Sequence, residues 1–183
     1  MNLIEQLVTH LDKISSVRHL TDRTEAIQIA LFPDQPFEGA ISYVTLGLSH
    51  HPLRMPDGRD IRQEIIFCSW NDANPEHISS SILTFCEFML SKHQPLLRGD
   101  VVGPSVPIFA GTMMNSVYAA IPVIFPDDLH LLGETEPPTV LVWLIPLYET
   151  ESAFVKQQGW RAFEQLMESK NPDLLDFNRP HLC

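Results

Sequence analysis

The residues best suited to chemistry lie in one loop, where a serine is followed by two histidines. Ser49, His50 and His51 come directly after a strand-like run, and such a set could supply a nucleophile and a base. The run lacks the second glycine of G-x-S-x-G, and adjacent residues do not by themselves build a triad. The histidines could also bind a metal with Asp57 and Asp60, but no H-E-x-x-H or Cys/His spacing is present. We therefore favour exposed loop histidines and keep a hydrolase or metal-dependent enzyme as the alternative.

Two acidic segments could supply general acid or base groups. Asp127, Asp128 and His130 lie in a predicted turn, and Glu149 and Glu151 lie at the start of a predicted helix. Carboxylates in turns are commonly solvated, and acids at a helix N-terminus stabilise the helix dipole. Structural roles are therefore favoured for both groups. The chain has no G-x-x-x-x-G-K-[ST] or G-x-G-x-x-G motif, so no nucleotide cofactor is expected.

Arg62 and Glu64 are two residues apart in a predicted strand. Alternate residues of a strand share one face, so the two side chains project roughly 7 Å apart. An ion pair on the surface or between strands is the favoured interpretation, with a contribution of about 0 to 1 kcal/mol, and a recognition site is the alternative. The triplet Arg98-Gly99-Asp100 matches an adhesion motif in spelling only.

Composition limits the possible partners. Against 23 acidic residues there are only 12 lysines and arginines, which gives a formal charge of -11. Nucleic acid is an unfavourable ligand for such a chain, whereas a basic protein would be attracted to it. The three cysteines, Cys68, Cys86 and Cys183, are widely spaced and predict reduced thiols in the cytoplasm. The first twenty residues have no early basic cluster and no apolar run approaches about 20 residues, so neither a signal peptide nor a membrane span is expected.

Hydrophobic periodicity predicts three helices and five strands in a single domain, residues 1–183. The predicted helices cover 2–16, 75–92 and 149–169. The predicted strands cover 27–32, 43–48, 61–70, 117–125 and 139–148. The last of these is continuously apolar from Val140 to Ile145, which is typical of a central strand. Residues 97–115 are expected to be irregular, and Gly159 lies inside the third helix, where close packing would explain it.

Four segments together resemble the Suppressor of fused domain, as a stand-alone bacterial-type member. They are YVTLGLSHHPL (43–53), IRQEIIF (61–67), IPLYETESAFVKQQGWRAF (145–163) and DFNRP (176–180). Their order and spacing agree with the family over nearly the whole chain. The matching residues are Thr45, Gly47, Leu48, Ser49, Pro52, Arg62, Glu64, Glu151, Gly159, Asp176, Arg179 and Pro180.

The resemblance implies an α+β domain with a mixed, mostly antiparallel sheet flanked by about three helices, without catalytic activity or cofactors. It also implies that most matching residues hold the fold, with Arg179 paired to an acid. Animal members bind transcription factors with the help of a second, C-terminal domain. Since the sequence ends at Cys183, that domain is not expected here. Short bacterial members include immunity proteins that neutralise toxins by direct binding.

We therefore expect a cytoplasmic, non-enzymatic protein-binding domain, with neutralisation of a basic toxin as its leading role. A regulatory adaptor without a toxin partner is a further alternative. No nucleic acid or membrane partner is expected. The predicted partner surface combines the loop His50 to Arg59 with the acidic turn Asp127 to Glu136. Its residues are His50, His51, Arg54, Asp57, Arg59, Asp127, Asp128, His130, Glu134 and Glu136.

Overall fold

The computed structural model describes residues 2–18, 27–105 and 107–183. Within these ranges it has four α-helices and nine strands of a mixed sheet. The helices are α1 (Leu3–Leu11), α2 (Pro75–Lys92), α3 (Glu149–Gln158) and α4 (Trp160–Lys170). The strands are β1 (Ser16–Arg18), β2 (Gln28–Pro33), β3 (Ala40–Leu46), β4 (Leu53–Arg54), β5 (Asp60–Trp70), β6 (Val101–Val102), β7 (Ser116–Ala120), β8 (Leu131–Leu132) and β9 (Thr139–Leu147). The predicted α+β fold is confirmed, with four helices instead of three.

The chain divides into two compact units. The first unit contains Met1–Leu96 and Ile121–Trp143, and the second contains Leu97–Ala120 and Leu144–Cys183. Strand β9 belongs to both, because the boundary falls between Trp143 and Leu144.

In the first unit, β1, β2, β3 and β5 form an antiparallel series. Strand β5 then pairs in parallel with the first half of β9, and β8 pairs antiparallel with the same half. Strand β4 pairs antiparallel with the start of β5. Strand β9 therefore has hydrogen-bonded neighbours in this unit, as its continuous apolar run predicted.

The core of the first unit follows from the side-chain spacing of its elements. Ile78, Ile82, Cys86 and Met89 recur along one face of α2 and are all buried. The helix begins where its sequence predicts, because the Asn74 side chain accepts a hydrogen bond from the backbone of the first turn and Pro75 occupies its first position. The predicted helix over 75–92 is confirmed.

In the second unit, β6 pairs antiparallel with β7, and β7 neighbours β9. The aromatic rings of Tyr118 and Phe163 pack with their centroids 5.4 Å apart, and both side chains are buried. Val155 from α3 and Leu147 from β9 are also buried here. The C-terminal segment after α4 contributes Leu175 and Leu182 to the buried residues and is therefore packed rather than a loose tail.

The first helix is shorter than predicted, since α1 ends at Leu11 and Ser16–Arg18 forms β1. Asp12 has a positive φ of 62°, which interrupts the helix. The backbone N–H of Ser15 then donates to the Leu31 carbonyl at 2.9 Å. Sheet pairing with β2 thus replaces the helical hydrogen bonds that the local spacing favoured.

Gly159 ends one helix and begins another, so the prediction of a continuous helix over 149–169 is wrong. Its backbone has φ 86° and ψ 159°, a region that essentially only glycine adopts. A Cβ built at this position would meet nothing within 4 Å. The requirement for glycine is therefore conformational, and the expected close packing is also wrong.

Two further boundaries differ from the predictions. Strand β7 ends at Ala120 instead of 125, just before Pro122, which cannot donate to a sheet. The segment 97–115, predicted to be irregular, contains the short strand β6. No helix in the described ranges combines the length and apolarity needed to cross a bilayer.

Candidate functional site

Glu64 is the centre of a buried hydrogen-bond network in the first unit. Its side chain is fully buried in β5. The Thr45 hydroxyl donates to Oε2 at 2.5 Å, and the backbone N–H groups of Gly47 and Ser49 donate to Oε1 at 3.0 and 3.1 Å. Thr45 Oγ1 in turn accepts from the backbone of Ile65 at 2.7 Å. One carboxylate therefore fixes the end of β3 and the turn that follows it.

Arg62 does not form the predicted ion pair with Glu64. Its Nη1 donates to the Ser49 carbonyl at 2.6 Å, so Arg62 fixes the same turn from the other side. Burial raises the pKa of Glu64, while the hydrogen bonds from Thr45, Ser49 and Gly47 oppose that rise. The expectation of a surface or inter-strand ion pair is wrong, because Glu64 lies inside the protein and accepts hydrogen bonds from other donors.

The turn between β3 and β4 accounts for the types of the motif residues that form it. Gly47 has φ 109°, which favours glycine, and it begins a 3₁₀ turn over Leu48–His50. Leu48 is completely buried and Ser49 is 8% exposed. Pro52 is exposed. The motif therefore shapes a turn, and the hydrogen bonds of Ser49 are consistent with a structural role.

The two histidines of this turn differ in environment. His50 is exposed and His51 is half-buried. Across the described residues, no group of three histidine, cysteine, aspartate or glutamate side chains is arranged to hold a metal ion. This geometry supplies no observation that supports the hydrolase alternative or the metal-site alternative.

A cavity of about 740 Å³ opens beside the turn, and we call it the α1 cleft. Its apolar lining includes Leu3, Ile4 and Leu46, and its polar lining includes Glu5, Glu64 and Glu136. His50 and Arg62 also line it. The α1 cleft is therefore a concave surface lined by both apolar side chains and charged groups.

A second cavity, of about 490 Å³, shares one residue with the α1 cleft. It is lined by Met55, Arg59, Asp60, Ile61, Glu136, Pro137 and Pro138. Glu136 lines both cavities. The structure thus brings His50, Arg59 and Glu136, three residues of the predicted partner surface, to adjoining concavities.

The rest of the predicted surface is distributed more widely. Asp57 pairs with Arg59 at 2.7 Å, and Arg54 pairs with Asp60 at 3.3 Å. The Arg59 guanidinium holds the pKa of Asp57 below its usual value. These four side chains are well exposed, so the loop presents alternating charges.

The other end of the acidic turn lies against α1. The Gln6 side chain donates to the carbonyl of Asp128 at 2.5 Å, and His10 lies 4.0 Å from the Asp128 carboxylate. Asp127 is exposed and lies 3.9 Å from His130. Glu134 is exposed as well. The structure does not place Asp127, Asp128, His130 or Glu134 among the lining residues of either cavity.

A second buried carboxylate organises the second unit. Glu151 is completely buried, and its carboxylate accepts hydrogen bonds from both Nη atoms of Arg179, at 2.6 and 2.7 Å. The backbone N–H groups of Tyr148 and Leu182 donate to the same carboxylate at 3.1 and 3.0 Å. The expectation that Arg179 pairs with an acid is confirmed, and Glu151 is that acid.

The closing motif is held around this pair. Asp176 Oδ1 accepts from the backbone of Asn178 at 2.8 Å, which forms the turn before Arg179. The Arg179 guanidinium also donates to the Pro180 carbonyl at 3.2 Å. The Tyr148 hydroxyl donates to the Arg179 carbonyl at 2.8 Å. The motif residues of the second unit therefore fasten the C-terminal segment.

One polar cluster has no counterpart in the sequence predictions. Glu164 accepts from Arg98 Nε at 3.0 Å and from the Tyr118 hydroxyl at 2.8 Å. Arg98 also lies over the Trp160 ring, 4.6 Å from its centroid, and a Cβ on Gly99 would approach Trp160 to 2.6 Å. Arg98 and Gly99 of the adhesion-like triplet are thus structural. No pattern in the sequence marks these contacts, because the partners lie at least 46 residues apart in the chain.

Similar proteins were found by sequence and by structure. The family model described as Suppressor of fused protein (SUFU) matches residues 23–180. The immunity protein YqcF of Bacillus subtilis strain 168 is 26% identical over 161 residues, which cover 86% of this chain and 82% of that protein.

The fold is shared with solved structures. A putative SUFU homologue from Neisseria gonorrhoeae superposes with a TM-score of 0.80 at 17% identity, over 99% of this chain and 94% of that one. A chain of the Sufu-Fu complex gives 0.74 at 10% identity, over 98% and 88%. Because the family model covers well over half of its residues, the chain belongs to the Suppressor of fused family.

Proposed function

We propose that this protein is a non-enzymatic binding domain that neutralises a basic protein toxin by direct contact. The observation that carries the proposal is its similarity, along 86% of its length, to a protein named as an immunity protein. A structural relative has been solved in a complex, the Sufu-Fu complex, which supports binding to proteins as the mode of action.

The charge of the protein supports a basic partner. A formal charge of -11 speeds the encounter with a positively charged protein and adds specificity to the bound state. The proposed contact surface contains the α1 cleft, His50, Arg59 and Glu136, because these residues border two adjoining concavities. A specific interface of this kind buries about 1,600 Å² in total, so surrounding residues such as Glu134 would lie in its periphery.

The first experiment identifies the partner. The tagged protein is used for affinity capture from its native cells at about 0.05 M and about 0.5 M salt. The Debye screening length falls from roughly 14 Å to roughly 4 Å over that range. We expect one basic protein that is retained at low salt and depleted at high salt. Retention of no specific protein under either condition would contradict the proposal.

The second experiment tests neutralisation. The captured protein is expressed in a host alone and together with this chain, and growth is measured. We expect toxicity alone and rescue on co-expression, with an unrelated acidic protein of similar charge as the control. A captured protein that is harmless would favour a regulatory adaptor over an immunity protein.

A further inference from the structure

The α1 cleft is large enough to admit a side chain of a partner. At about 740 Å³ it falls within the range of protein ligand sites, roughly 300 to 1,000 Å³. Every residue that lines it belongs to the first unit. Resting on the proposed function, we infer that the α1 cleft receives an arginine side chain of the basic partner, with Glu136 as the carboxylate that binds its guanidinium.

The apolar lining residues suit the methylene groups that form the stem of an arginine. Leu3, Ile4 and Leu46 line the α1 cleft, and Ile4 is 50% exposed. Arginine side chains bury their methylene groups along apolar surface while the charged end remains in polar surroundings. Occupation by such a stem would cover Ile4, which in the unbound protein faces solvent.

The charge of the lining favours a cation. The lining contains three carboxylates, those of Glu5, Glu64 and Glu136, and one guanidinium, that of Arg62. Arg62 is already committed, because its Nη1 donates to the Ser49 carbonyl at 2.6 Å. An anionic ligand would meet an excess of negative charge here.

Glu136 is the carboxylate left to bind a partner. Glu64 accepts three hydrogen bonds from its own unit, and Glu5 Oε2 accepts from the backbone of Asn2 at 2.9 Å. Glu136 is exposed, and for the described part of the chain no hydrogen bond or ion pair is found for its carboxylate. An arginine can bind such a carboxylate through two parallel hydrogen bonds, whereas a lysine offers a more strongly hydrated point charge.

The test uses a small probe so that it does not depend on the partner. The peptide Ac-Gly-Arg-Gly-amide is titrated into the ¹⁵N-labelled full chain, and amide shifts are followed by NMR. The same peptide with citrulline in place of arginine serves as the uncharged isostere. The variants are Glu136→Lys and, as the matched control, Glu134→Lys, which makes the same charge change two residues away and outside the cleft lining.

We expect saturable shifts at the amides of Gly47, Ser49 and Thr135 with arginine and much smaller shifts with citrulline. Glu136→Lys should weaken binding about fivefold or more, and Glu134→Lys by less than about twofold. Equal shifts with citrulline, shifts spread over the acidic surface, or equal losses in both variants would overturn the inference. These outcomes leave the capture and rescue results untouched, so failure of the pocket is distinguishable from failure of the proposed function.

Discussion

The guanidinium of Arg179 donates two hydrogen bonds, of 2.6 and 2.7 Å, to the carboxylate of Glu151 in the interior of the second unit. The two side chains are 1% and 0% exposed. Buried ion pairs cost desolvation, so their removal as a pair is often tolerated, whereas loss of one partner leaves an uncompensated charge. The geometry therefore predicts an asymmetric response to mutation.

Arg179→Met should destabilise the protein by about 3 to 5 kcal/mol, because Glu151 is left buried without its counterion. Urea denaturation followed by circular dichroism measures the change. The double variant Glu151→Met with Arg179→Met should recover part of that loss. As the control, Asp57→Asn breaks an exposed pair and should leave the midpoint unchanged. A double variant less stable than Arg179→Met would contradict the interpretation.

Glu64→Gln should destabilise the first unit by about 2 kcal/mol, since hydrogen bonds to a charged group contribute roughly 1.5 to 3 kcal/mol and glutamine keeps only one acceptor oxygen. Hydrogen exchange should show lost protection at the amides of Gly47 and Ser49, which donate to this carboxylate. The exposed Glu38→Gln, in the same unit, serves as the control. Unchanged protection at both amides would show that Glu64 does not hold the turn.

Gly159→Ala discriminates between two local structures. Inside a continuous helix, alanine would stabilise the protein by about 1 kcal/mol. With φ 86° and ψ 159°, it should instead destabilise by about 1 to 3 kcal/mol. Thermal or urea denaturation gives the sign, and Gln157→Ala in the last turn of α3 provides a near-neutral control. A stabilised Gly159→Ala would refute the break between α3 and α4.

We expect the contribution of Glu164 to the free energy of unfolding to depend on pH. Burial acts to raise its pKa, but the hydrogen bonds from Arg98 and Tyr118 outweigh this and lower it from the ordinary 4.5. A pKa lowered by folding gives stability that is present above the unfolded value and lost as the pH falls through the folded value.

Glu164→Gln should therefore destabilise the protein by about 1 kcal/mol at neutral pH, with the difference from wild type shrinking as the pH falls below about 4.5. Denaturation curves at several pH values measure it. Glu168→Gln, an exposed change on the same helix, should show no such trend. A constant difference down to pH 3 would argue against the lowered pKa.

The three cysteines should differ sharply in reactivity. Cys68 and Cys86 are buried and Cys183 is exposed. Burial raises the pKa of Cys68 to about 12, and only the thiolate reacts. Ellman's reagent should label one thiol in the native protein and three after unfolding, and Cys183→Ser should abolish the native signal. Rapid labelling of more than one thiol in the native protein would contradict this burial.

Local patterns predicted several elements correctly, for physical reasons that act over a few residues. The N-cap Asn74, Pro75 and the apolar repeat define α2 from sequence alone. The apolar run of β9 also identified a central strand. The same reasoning failed at Ser15 and Gly159, where a hydrogen bond to β2 and a glycine-only backbone decided the outcome.

The sequence by itself determined the fold class, the family and the acidic character of the protein, because periodicity, motif order and charge are properties of the chain. Only the tertiary structure decided that Glu64 is a buried hydrogen-bond acceptor and forms no ion pair with Arg62. Only the tertiary structure showed that His50 and Glu136 both line the α1 cleft. Burial and long-range contact depend on which distant strands pair, and strand pairing is a cooperative result of the whole chain that no local pattern contains.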